Sequence, residues 1–218
     1  MKTRPFRCLV TAGPTREHLD PVRFLSNPSS GKMGYALAAA AAAAGWRVNL
    51  VSGPVALPPP AGVNIHRVVS AADMFQAVKK LFPACDILIM CAAVSDFTPK
   101  QVFAHKVKKG QAELAVEFVP TVDILKTLAA RKRPGQLAVG FAAETRNVEA
   151  YARKKLKEKN LDFIIANQVG GAGQGFASDD NSVILLGRDG TRAALGPAPK
   201  TKLAQQLIAR LRAGHSSL

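Results

Sequence analysis

Apolar runs that suit buried strands alternate with helix-forming segments along most of the chain. Strands are predicted at residues 6–11, 47–52, 64–68, 86–92, 137–141 and 163–167. Helices are predicted at residues 33–44, 70–81, 123–131, 147–159 and 200–212. In a sheet with one face exposed to solvent, apolar and polar residues alternate along each strand. These runs lack that alternation, so both faces of the sheet are expected to be covered by other elements. The alternation therefore predicts a mostly parallel sheet with helices on both faces.

The second half of the chain adds an antiparallel feature. Residues 182–186 and 191–195 are joined through Asp189 and Gly190, and an Asp-Gly pair between two apolar runs favours a hairpin. The less regular stretches are a polar, basic segment at 99–110, a possible strand at 113–118 and a glycine-rich connection at 170–175. We therefore expect one Rossmann-like α/β domain spanning residues 1–218, with the hairpin near its C-terminus.

Several protein classes are excluded by composition. No apolar run approaches the ~20 residues that a membrane-spanning helix needs, and the basic N-terminus lacks the apolar core of a secretory signal. Cytoplasmic location is therefore expected. The three cysteines, Cys8, Cys85 and Cys91, lie in or beside apolar strands, so we expect buried thiols rather than disulfides. The four histidines match no zinc motif, and no transition-metal site is predicted.

A net charge of +15 and a pI near 10.2 point to an anionic partner. Nucleic acid is one alternative, because a basic surface binds phosphates and releases counterions. An aromatic content of 6% offers few stacking platforms for bases, and no nucleic-acid-binding motif is present. A small polyanionic substrate needs the same positive field over a smaller area. The basic runs at residues 106–109 and 153–159 are candidates to supply it, although such runs are ordinarily solvated faces.

A loop of unusual length follows the first strand, from residue 11 to residue 34. A strand-to-helix connection ordinarily takes ~2–6 residues, and long loops in compact domains are often functional. The loop ends in SSGKMG at residues 29–34, where hydroxyls and backbone N–H groups at a helix N-terminus favour a phosphate. Ser29 or Ser30 is the candidate cap of that helix.

Two familiar phosphate motifs do not fit this loop. A P-loop needs glycine where Ser26 stands and serine or threonine where Met33 stands. A dinucleotide fingerprint needs a glycine cluster directly after the strand, where only Gly13 is found. The loop is therefore expected to bind phosphate in some other way.

An ordered set of motifs covers nearly the whole chain. The set comprises residues 13–34, AAVSDF at 92–97, KVKK at 106–109, GFAAET at 140–145, NLD at 160–162 and GFASDDN at 175–181. With these motifs the chain resembles the synthetase half of bacterial coenzyme A biosynthesis proteins, the phosphopantothenate–cysteine ligases. The resemblance implies that CTP activates the carboxylate of 4′-phosphopantothenate as an acyl-cytidylate, with release of pyrophosphate. The amine of L-cysteine then displaces CMP.

The same resemblance implies the cofactors and partners. Mg²⁺ would accompany CTP, because a divalent ion and basic residues offset the repulsion between two polyanionic substrates, and the residues that hold it are not identified. A homodimer is implied, with the segment after Pro99 as a candidate to reach the neighbouring site. Bifunctional relatives carry an N-terminal flavin-dependent decarboxylase. Since only about five residues precede the first predicted strand, no flavin is expected.

The site residues follow from the resemblance as well. The implied nucleotide-binding residues are Gly13, Ser29, Ser30, Met90, Cys91, Ala92, Asp96, Lys106, Val122, Asp123, Ile124, Leu125, Phe141, Lys155 and Lys159. Asn27 and Lys106 are the implied catalytic residues, with Asn27 acting in conversion of the acyl-cytidylate and Lys106 on the triphosphate. Judged without the resemblance, Asp96 and Asp123 equally suit caps of a turn or helix, and Phe141 equally suits a core position.

Lys155 takes part in two interpretations. It shares one helix face with Lys159, and two like charges there repel unless an anion lies between them. With Tyr151 it has the Tyr-x-x-x-Lys spacing of short-chain dehydrogenases, in which the lysine lowers the pKa of the tyrosine. That alternative lacks the glycine cluster after the first strand, and Ala138 and Val139 stand where its serine is expected.

Overall fold

The computed structural model describes residues 4–110, 114–168 and 178–215. In chain order the strands are β1 (Arg7–Ala12), β2 (Arg16–His18), β3 (Phe24–Ser26), β4 (Arg47–Ser52), β5 (Val63–Arg67), β6 (Ile87–Met90), β7 (Phe97–Pro99), β8 (Phe118–Pro120), β9 (Leu137–Glu144), β10 (Phe163–Gln168), β11 (Asp180–Gly187) and β12 (Arg192–Pro199). The helices are α1 (Lys32–Ala43), α2 (Ala71–Leu81), α3 (Ile124–Ala129), α4 (Val148–Glu158) and α5 (Lys200–His215).

Among the described residues, eight strands form one sheet in the order β12-β11-β10-β9-β6-β1-β4-β5. The strands from β5 to β10 in this order are parallel, whereas β11 and β12 are antiparallel. The chain builds from β1 to β4 and β5 on one side, then crosses to β6, β9 and β10 on the other. In such sheets ligands bind where the order reverses, outside the carboxyl ends of the strands. The Rossmann-like sheet and the C-terminal hairpin are both confirmed.

Alternate side chains of the strands enter two separate cores, one on each face of the sheet. On one face, Val10 of β1 belongs to a cluster with Leu37 of α1 and Leu207 of α5. On the other face, Leu9 of β1 belongs to a cluster with Met74 of α2 and side chains of α3 and α4. Because both faces are covered, the strands read in the sequence as continuous apolar runs.

The alanine-rich α1 lies unusually close to β1. A Cβ atom at Gly34 would stand 2.5 Å from the Cβ of Ala12, so a larger residue does not fit at this contact. The first turn of α1 therefore lies directly against the carboxyl end of β1. This close approach explains why the last residue of the SSGKMG motif, Gly34, is a glycine.

Two small hairpins lie outside the main sheet and were not predicted. β2 pairs with β3 within the long loop after β1, and β7 pairs with β8. Their three-residue strands are too short for a periodicity signal. The possible strand at 113–118 overlaps β8 only at Phe118, and residue 113 lies outside the described residues, as does the glycine-rich connection at 170–175. Within the described ranges, no helix is long and apolar enough to cross a bilayer.

A buried carboxylate ties the chain together at the amino ends of the central strands. Asp86 accepts hydrogen bonds from the guanidinium of Arg4 at 2.8 and 2.9 Å and from the backbone N–H of Arg7 at 2.9 Å. The guanidinium of Arg133 lies 3.7 Å away. Burial alone would raise the pKa of Asp86, but the arginine hydrogen bonds lower it well below its usual range. The cluster fixes the start of β1 to the start of β6.

The outer strands of the sheet are β5 and β12. β12 ends in the sequence GPAP at residues 196–199, and its prolines have no N–H group to donate. On β5, Asn64 and His66 hydrogen-bond to Asn49 of β4 at 2.8 and 3.0 Å. Polar side chains and prolines therefore occupy the two edges.

Candidate active site

A cleft of about 380 Å³ opens at the carboxyl ends of β1, β6 and β9, next to the point where the strand order reverses. Its wall comes from the loop before α1, the turn after β6, the start of α3, the end of β9 and α4. The predicted site residues that line it are Ser29, Ser30, Met90, Cys91, Ala92, Asp96, Val122, Asp123, Ile124, Leu125, Phe141, Lys155 and Lys159. The fold thus brings together segments that are far apart in the chain.

The N-terminus of α1 forms part of the wall. Gly31 occupies the N-cap position with φ 76° and ψ −8°, a left-handed conformation that favours glycine. Within the described residues no side chain caps this helix, and Ser29 Oγ instead accepts a hydrogen bond from the Gly31 N–H at 3.4 Å. The predicted cap at Ser29 or Ser30 is therefore wrong, because Gly31 holds the N-cap position of a helix that begins at Lys32. The first N–H groups of a helix have no intrahelical partner, and residues 32–34 line the cleft, which suits a phosphate.

Gly13 lies behind this loop rather than in the lining. A Cβ atom at Gly31 would stand 3.4 Å from the Cα of Gly13, so the two glycines pack against each other. The carbonyl oxygen of Gly13 accepts a hydrogen bond from the Ala93 N–H at 2.9 Å. The structure therefore places Gly13 as a support for two segments that face the cleft.

The turn after β6 is held by the side chain of Thr11. Its hydroxyl oxygen accepts hydrogen bonds from the N–H groups of Cys91 and Ala92, both at 3.1 Å. Small side chains at this turn leave room for a flat group to lie against the backbone. Burial raises the pKa of Cys91 to about 12, so its thiol stays protonated at neutral pH. Cys91 therefore contributes a neutral thiol to the cleft wall.

Carboxylates accompany both predicted lysines of α4. Asp123 caps α3 by accepting a hydrogen bond from the Lys126 N–H at 2.9 Å, and it pairs with Lys159 at 2.9 Å. Burial alone would raise the pKa of Asp123, but these two interactions lower it. Lys155 pairs with Glu144 at 2.6 Å. The sequence indicated that these two like charges repel unless an anion lies between them, and the structure gives each lysine a carboxylate from another element.

Five polar residues of the lining were not predicted as site residues from the sequence, namely Lys32, Thr121, Asn167, Asn181 and Lys200. Lys200 begins α5, is 6% exposed and donates a hydrogen bond to the carbonyl oxygen of Ser178. Burial lowers the pKa of Lys200, and the positive charge of Lys32 lowers it further. Lys200 directly follows the antiparallel strand β12. The rule that ligands bind at the carboxyl ends of parallel strands therefore does not predict it.

The two predicted catalytic residues lie outside the lining. Asn27 is exposed, and its amide donates hydrogen bonds to the carbonyl oxygens of Ala93 at 3.2 Å and Val94 at 3.4 Å, two residues that do line the cleft. Asn27 therefore lies at the rim. Lys106 is exposed on the loop between β7 and β8 and is not part of the wall formed by its own chain.

Two other arrangements of side chains are not found in the part of the chain that the structure describes. No cluster of three or more His, Cys, Asp or Glu side chains there could hold a metal ion. Tyr151 is exposed and does not line the cleft, and Lys155 is engaged with Glu144. The tyrosine–lysine pair of a short-chain dehydrogenase is therefore not assembled in the cleft.

Comparison with known proteins decides the family. A family model described as the DNA/pantothenate metabolism flavoprotein C-terminal domain matches residues 4–214. The chain belongs to this family. It is 50% identical over 206 residues to the coenzyme A biosynthesis bifunctional protein CoaBC of Bacillus subtilis, a match that covers 94% of this chain and 50% of that protein. The chain thus spans about half the length of the curated relatives it matches. The resemblance inferred from the ordered motifs is confirmed.

Solved structures agree with this assignment. The crystal structure of the C-terminal domain of a CoaBC protein has a TM-score of 0.83 and 43% identity, covering 98% of this chain and 97% of that one. A Cab2 mutant in complex with phosphopantothenate-cysteine has a TM-score of 0.80, with 97% of this chain and 87% of that chain covered. Its identity of 17% shows a shared fold alone. Family membership removes the short-chain dehydrogenase alternative.

Proposed function

We propose that the chain is a phosphopantothenate–cysteine ligase that uses CTP. Its relatives are named as coenzyme A biosynthesis proteins, which supports the pathway. The observation that carries the proposal is the composition of the cleft. There the start of α1 and the small-residue turn after β6 meet four lysines, Lys32, Lys155, Lys159 and Lys200. The convergence of these cationic side chains on one cleft favours a small polyanionic substrate over a nucleic-acid partner.

The reaction requires two anions to approach each other. Lys155 of α4 and its C-cap residue Lys159 lie on one face of the sheet, whereas Lys32 and Lys200 begin α1 and α5 on the other. The carboxyl ends of β6 and β9 lie between the two pairs. Positive charge on both sides offsets the repulsion between a carboxylate and a triphosphate, and fixed charges of this kind stabilise charge that develops during the reaction.

The proposed chemistry has two steps. A carboxylate oxygen of 4′-phosphopantothenate attacks the α-phosphorus of CTP, and the bond to the pyrophosphate leaving group breaks. Lys106 is proposed to contact the triphosphate in this step. The amine of L-cysteine then attacks the acyl carbon, CMP leaves, and the amine loses a proton. Asn27 is proposed to donate a hydrogen bond to the acyl oxygen, exchanging it for one of its two present carbonyl acceptors.

Mg²⁺ is proposed to enter the cleft with the triphosphate. This ion is usually bound through one or two carboxylates together with substrate phosphates, and it keeps several waters. Asp96 and Asp123 lie in the lining, and Asp123 is already engaged with Lys159. These residues fit an ion held mainly by phosphate oxygens, with the carboxylate of Asp96 as the candidate protein ligand. When bound, the ion would polarise a phosphoryl oxygen.

A homodimer is proposed as well. Exposed apolar side chains are concentrated on the two small hairpins and their loops, namely Val22, Phe24, Leu25, Phe97, Val102, Phe103, Phe118 and Val122. Clustered exposed apolar side chains are typical of protein contact surfaces. A second copy on this face would cover them and lie beside the loop that carries Lys106. Cytoplasmic location and the absence of flavin stay predictions.

Pyrophosphate release measured with CTP, ATP, GTP and UTP in turn tests the function. We expect release to require 4′-phosphopantothenate and Mg²⁺ and to be fastest with CTP. Addition of L-cysteine should then yield phosphopantothenoylcysteine, detected by mass spectrometry. Equal or faster turnover with ATP would remove the CTP assignment and keep the ligase. Failure to release pyrophosphate with any nucleotide, together with salt-dependent binding to duplex DNA or RNA, would favour the nucleic-acid alternative.

A further inference from the structure

A carboxylate is buried beneath the turn that joins β2 to β3. Asp20 is 1% exposed, although it lies in a long surface loop. Its Oδ1 accepts hydrogen bonds from the backbone N–H groups of Val22 and Arg23, both at 2.8 Å. These two bonds close the turn in the manner common for aspartate. A buried carboxylate also needs partners for its second oxygen.

The second oxygen of Asp20 reaches a distant part of the chain. Oδ2 accepts a hydrogen bond from the Val107 N–H at 3.2 Å and pairs with the Arg23 guanidinium at 2.8 Å. The same guanidinium donates a hydrogen bond to the carbonyl oxygen of Val107. One ion pair therefore holds both backbone polar groups of Val107, and Val107 directly follows Lys106.

The hairpin of β2 and β3 is fixed to the body of the protein at its other end. The Arg16 N–H donates to the carbonyl oxygen of Val69 at 2.8 Å, and the hydroxyl oxygen of Thr15, just before β2, accepts a hydrogen bond from the Ser95 N–H at 2.9 Å. Within the hairpin, the Ser26 hydroxyl donates to the carbonyl oxygen of Thr15 at 2.7 Å. Asn27 follows β3 immediately and lies at the rim of the cleft. The hairpin thus forms a continuous link between the rim and the loop that carries Lys106.

The anchor is charged at neutral pH. Burial alone would raise the pKa of Asp20, but hydrogen bonds from the N–H groups of Val22, Arg23 and Val107 and from the Arg23 side chain lower it to about 2. Hydrogen bonds to an ionised acceptor are stronger than those between neutral groups. The contact to Val107 is therefore present throughout the pH range of an ordinary assay.

We propose that Asp20 is a positioning residue for Lys106. Its carboxylate fixes the loop that carries Lys106 to the hairpin that leads to Asn27, so the lysine reaches a triphosphate from a defined direction, in its own chain or in a neighbouring copy. The inference rests on the proposed ligase function, in which Lys106 contacts the triphosphate. Orientation has a large effect on rate, since a small misplacement of a reacting group can cost ~10²-fold.

The Asp20 carboxylate closes the β2–β3 turn through Oδ1 and holds Val107 through Oδ2, and Asp20→Asn separates these two roles. The amide keeps an acceptor oxygen for the turn and places a donor against the N–H of Val107. We expect kcat for pyrophosphate release to fall by ~10–10²-fold. In a Lys106→Ala background the same substitution should cost less than about 2-fold, because residues that act through one another are not additive. Asp73→Asn is the matched control, since Asp73 also accepts a backbone hydrogen bond, from Ser70 at 2.9 Å, but lies outside the cleft.

Two further measurements keep the proposal testable if Asp20→Asn does not fold properly. Val107→Pro removes the same hydrogen bond from the loop side and should reproduce the loss of rate. Hydrogen exchange of the Val107 amide should be faster in Asp20→Asn than in the wild type. Equal losses in the two backgrounds, or full activity of both variants, would overturn the positioning role and leave the ligase in place. A wild-type chain without phosphopantothenate-dependent pyrophosphate release would instead overturn the proposed function.

Discussion

Lys159, the C-cap residue of α4, lies with its ammonium group 2.9 Å from the carboxylate of Asp123, which caps the start of α3. Both residues line the cleft, so the pair joins two helices across part of its wall. Lys155 has an equivalent partner in Glu144. A phosphate bound here would compete with these carboxylates, and each lysine would exchange one anionic partner for another.

Lys159→Met is expected to raise KM for CTP by ~10–100-fold, the loss corresponding to one hydrogen bond to a charged group. The variant also leaves Asp123 without its cation beside the triphosphate, which adds repulsion. Lys154→Met is the control on the same helix, because Lys154 is exposed and pairs only loosely with Glu158 at 3.8 Å. Steady-state kinetics with varied CTP measure both. Equal KM values for the two variants would contradict a role for Lys159 in nucleotide binding.

Lys200→Met tests a lysine that sequence analysis missed. The side chain is buried in the cleft wall, and its charge on the α5 side is expected to bind the triphosphate. We predict a rise in KM for CTP of ~10-fold or more, by the same measure for a charged hydrogen bond. Lys202→Met, at an exposed position on α5, should leave KM unchanged. A rise in KM for 4′-phosphopantothenate alone would show that Lys200 binds the other substrate.

Lys106→Ala should slow pyrophosphate release by ~10²–10³-fold, the usual cost of removing one group that stabilises developing charge. Thermal unfolding should be unchanged, because the side chain is exposed and contributes nothing to the core. Lys108→Ala, on the same loop and equally exposed, is the control. An active Lys106→Ala enzyme would make Lys106 an ordinary surface lysine.

Asn27→Ala is expected to separate the two half-reactions. The variant should still release pyrophosphate in a single-turnover burst, since Asn27 is proposed to act after activation. Cysteine-dependent product formation should fall by ~10²-fold or more, because the acyl oxygen loses a hydrogen-bond donor. Rapid-quench measurement of pyrophosphate and product distinguishes the steps. Loss of the burst in a folded variant would place Asn27 in activation instead.

Asp86→Asn should lower the free energy of unfolding by about 2 kcal/mol, a typical value for hydrogen bonds to a charged group. The folded-state pKa of Asp86 is lowered, so its contribution is complete above the unfolded value of about 4 and is lost as the pH falls through the folded value. The difference in Tm between wild type and variant should therefore shrink as the pH is lowered from 5 towards 2. A difference that is constant with pH would contradict this account.

The sheet is predictable from the sequence because each of its strands and helices is indicated by residues within its own segment. The apolar runs of β1, β6 and β9 and the glycine-terminated α1 each carry their own signal, and parallel strands with helices between them allow few arrangements. Ligands of such sheets bind outside the carboxyl ends of the strands, so the same runs also indicate where most of the cleft lies. The role of Gly34 follows from the close packing of α1 on β1.

The remaining parts of the site depend on contacts between distant residues. Neither the partnership of Lys155 with Glu144 nor that of Lys159 with Asp123 can be read from spacing along one helix. Lys200 enters the cleft because the antiparallel hairpin returns the chain to it, a consequence of tertiary packing. Asp20 appears in the sequence as a loop residue, and only the fold shows that it holds the loop beside Lys106.

The composition of the two sheet edges limits how copies of the chain can associate. Strand addition needs a row of unpaired N–H and C=O groups, and Pro197 and Pro199 interrupt the donors of β12, while β5 is short and polar. A continuous intermolecular sheet is therefore disfavoured at either end. Association through the small hairpins would instead depend on the shape and apolarity of side chains such as Phe24 and Phe118. Surface mutations there would change the strength of association without altering the backbone hydrogen bonds of the central sheet.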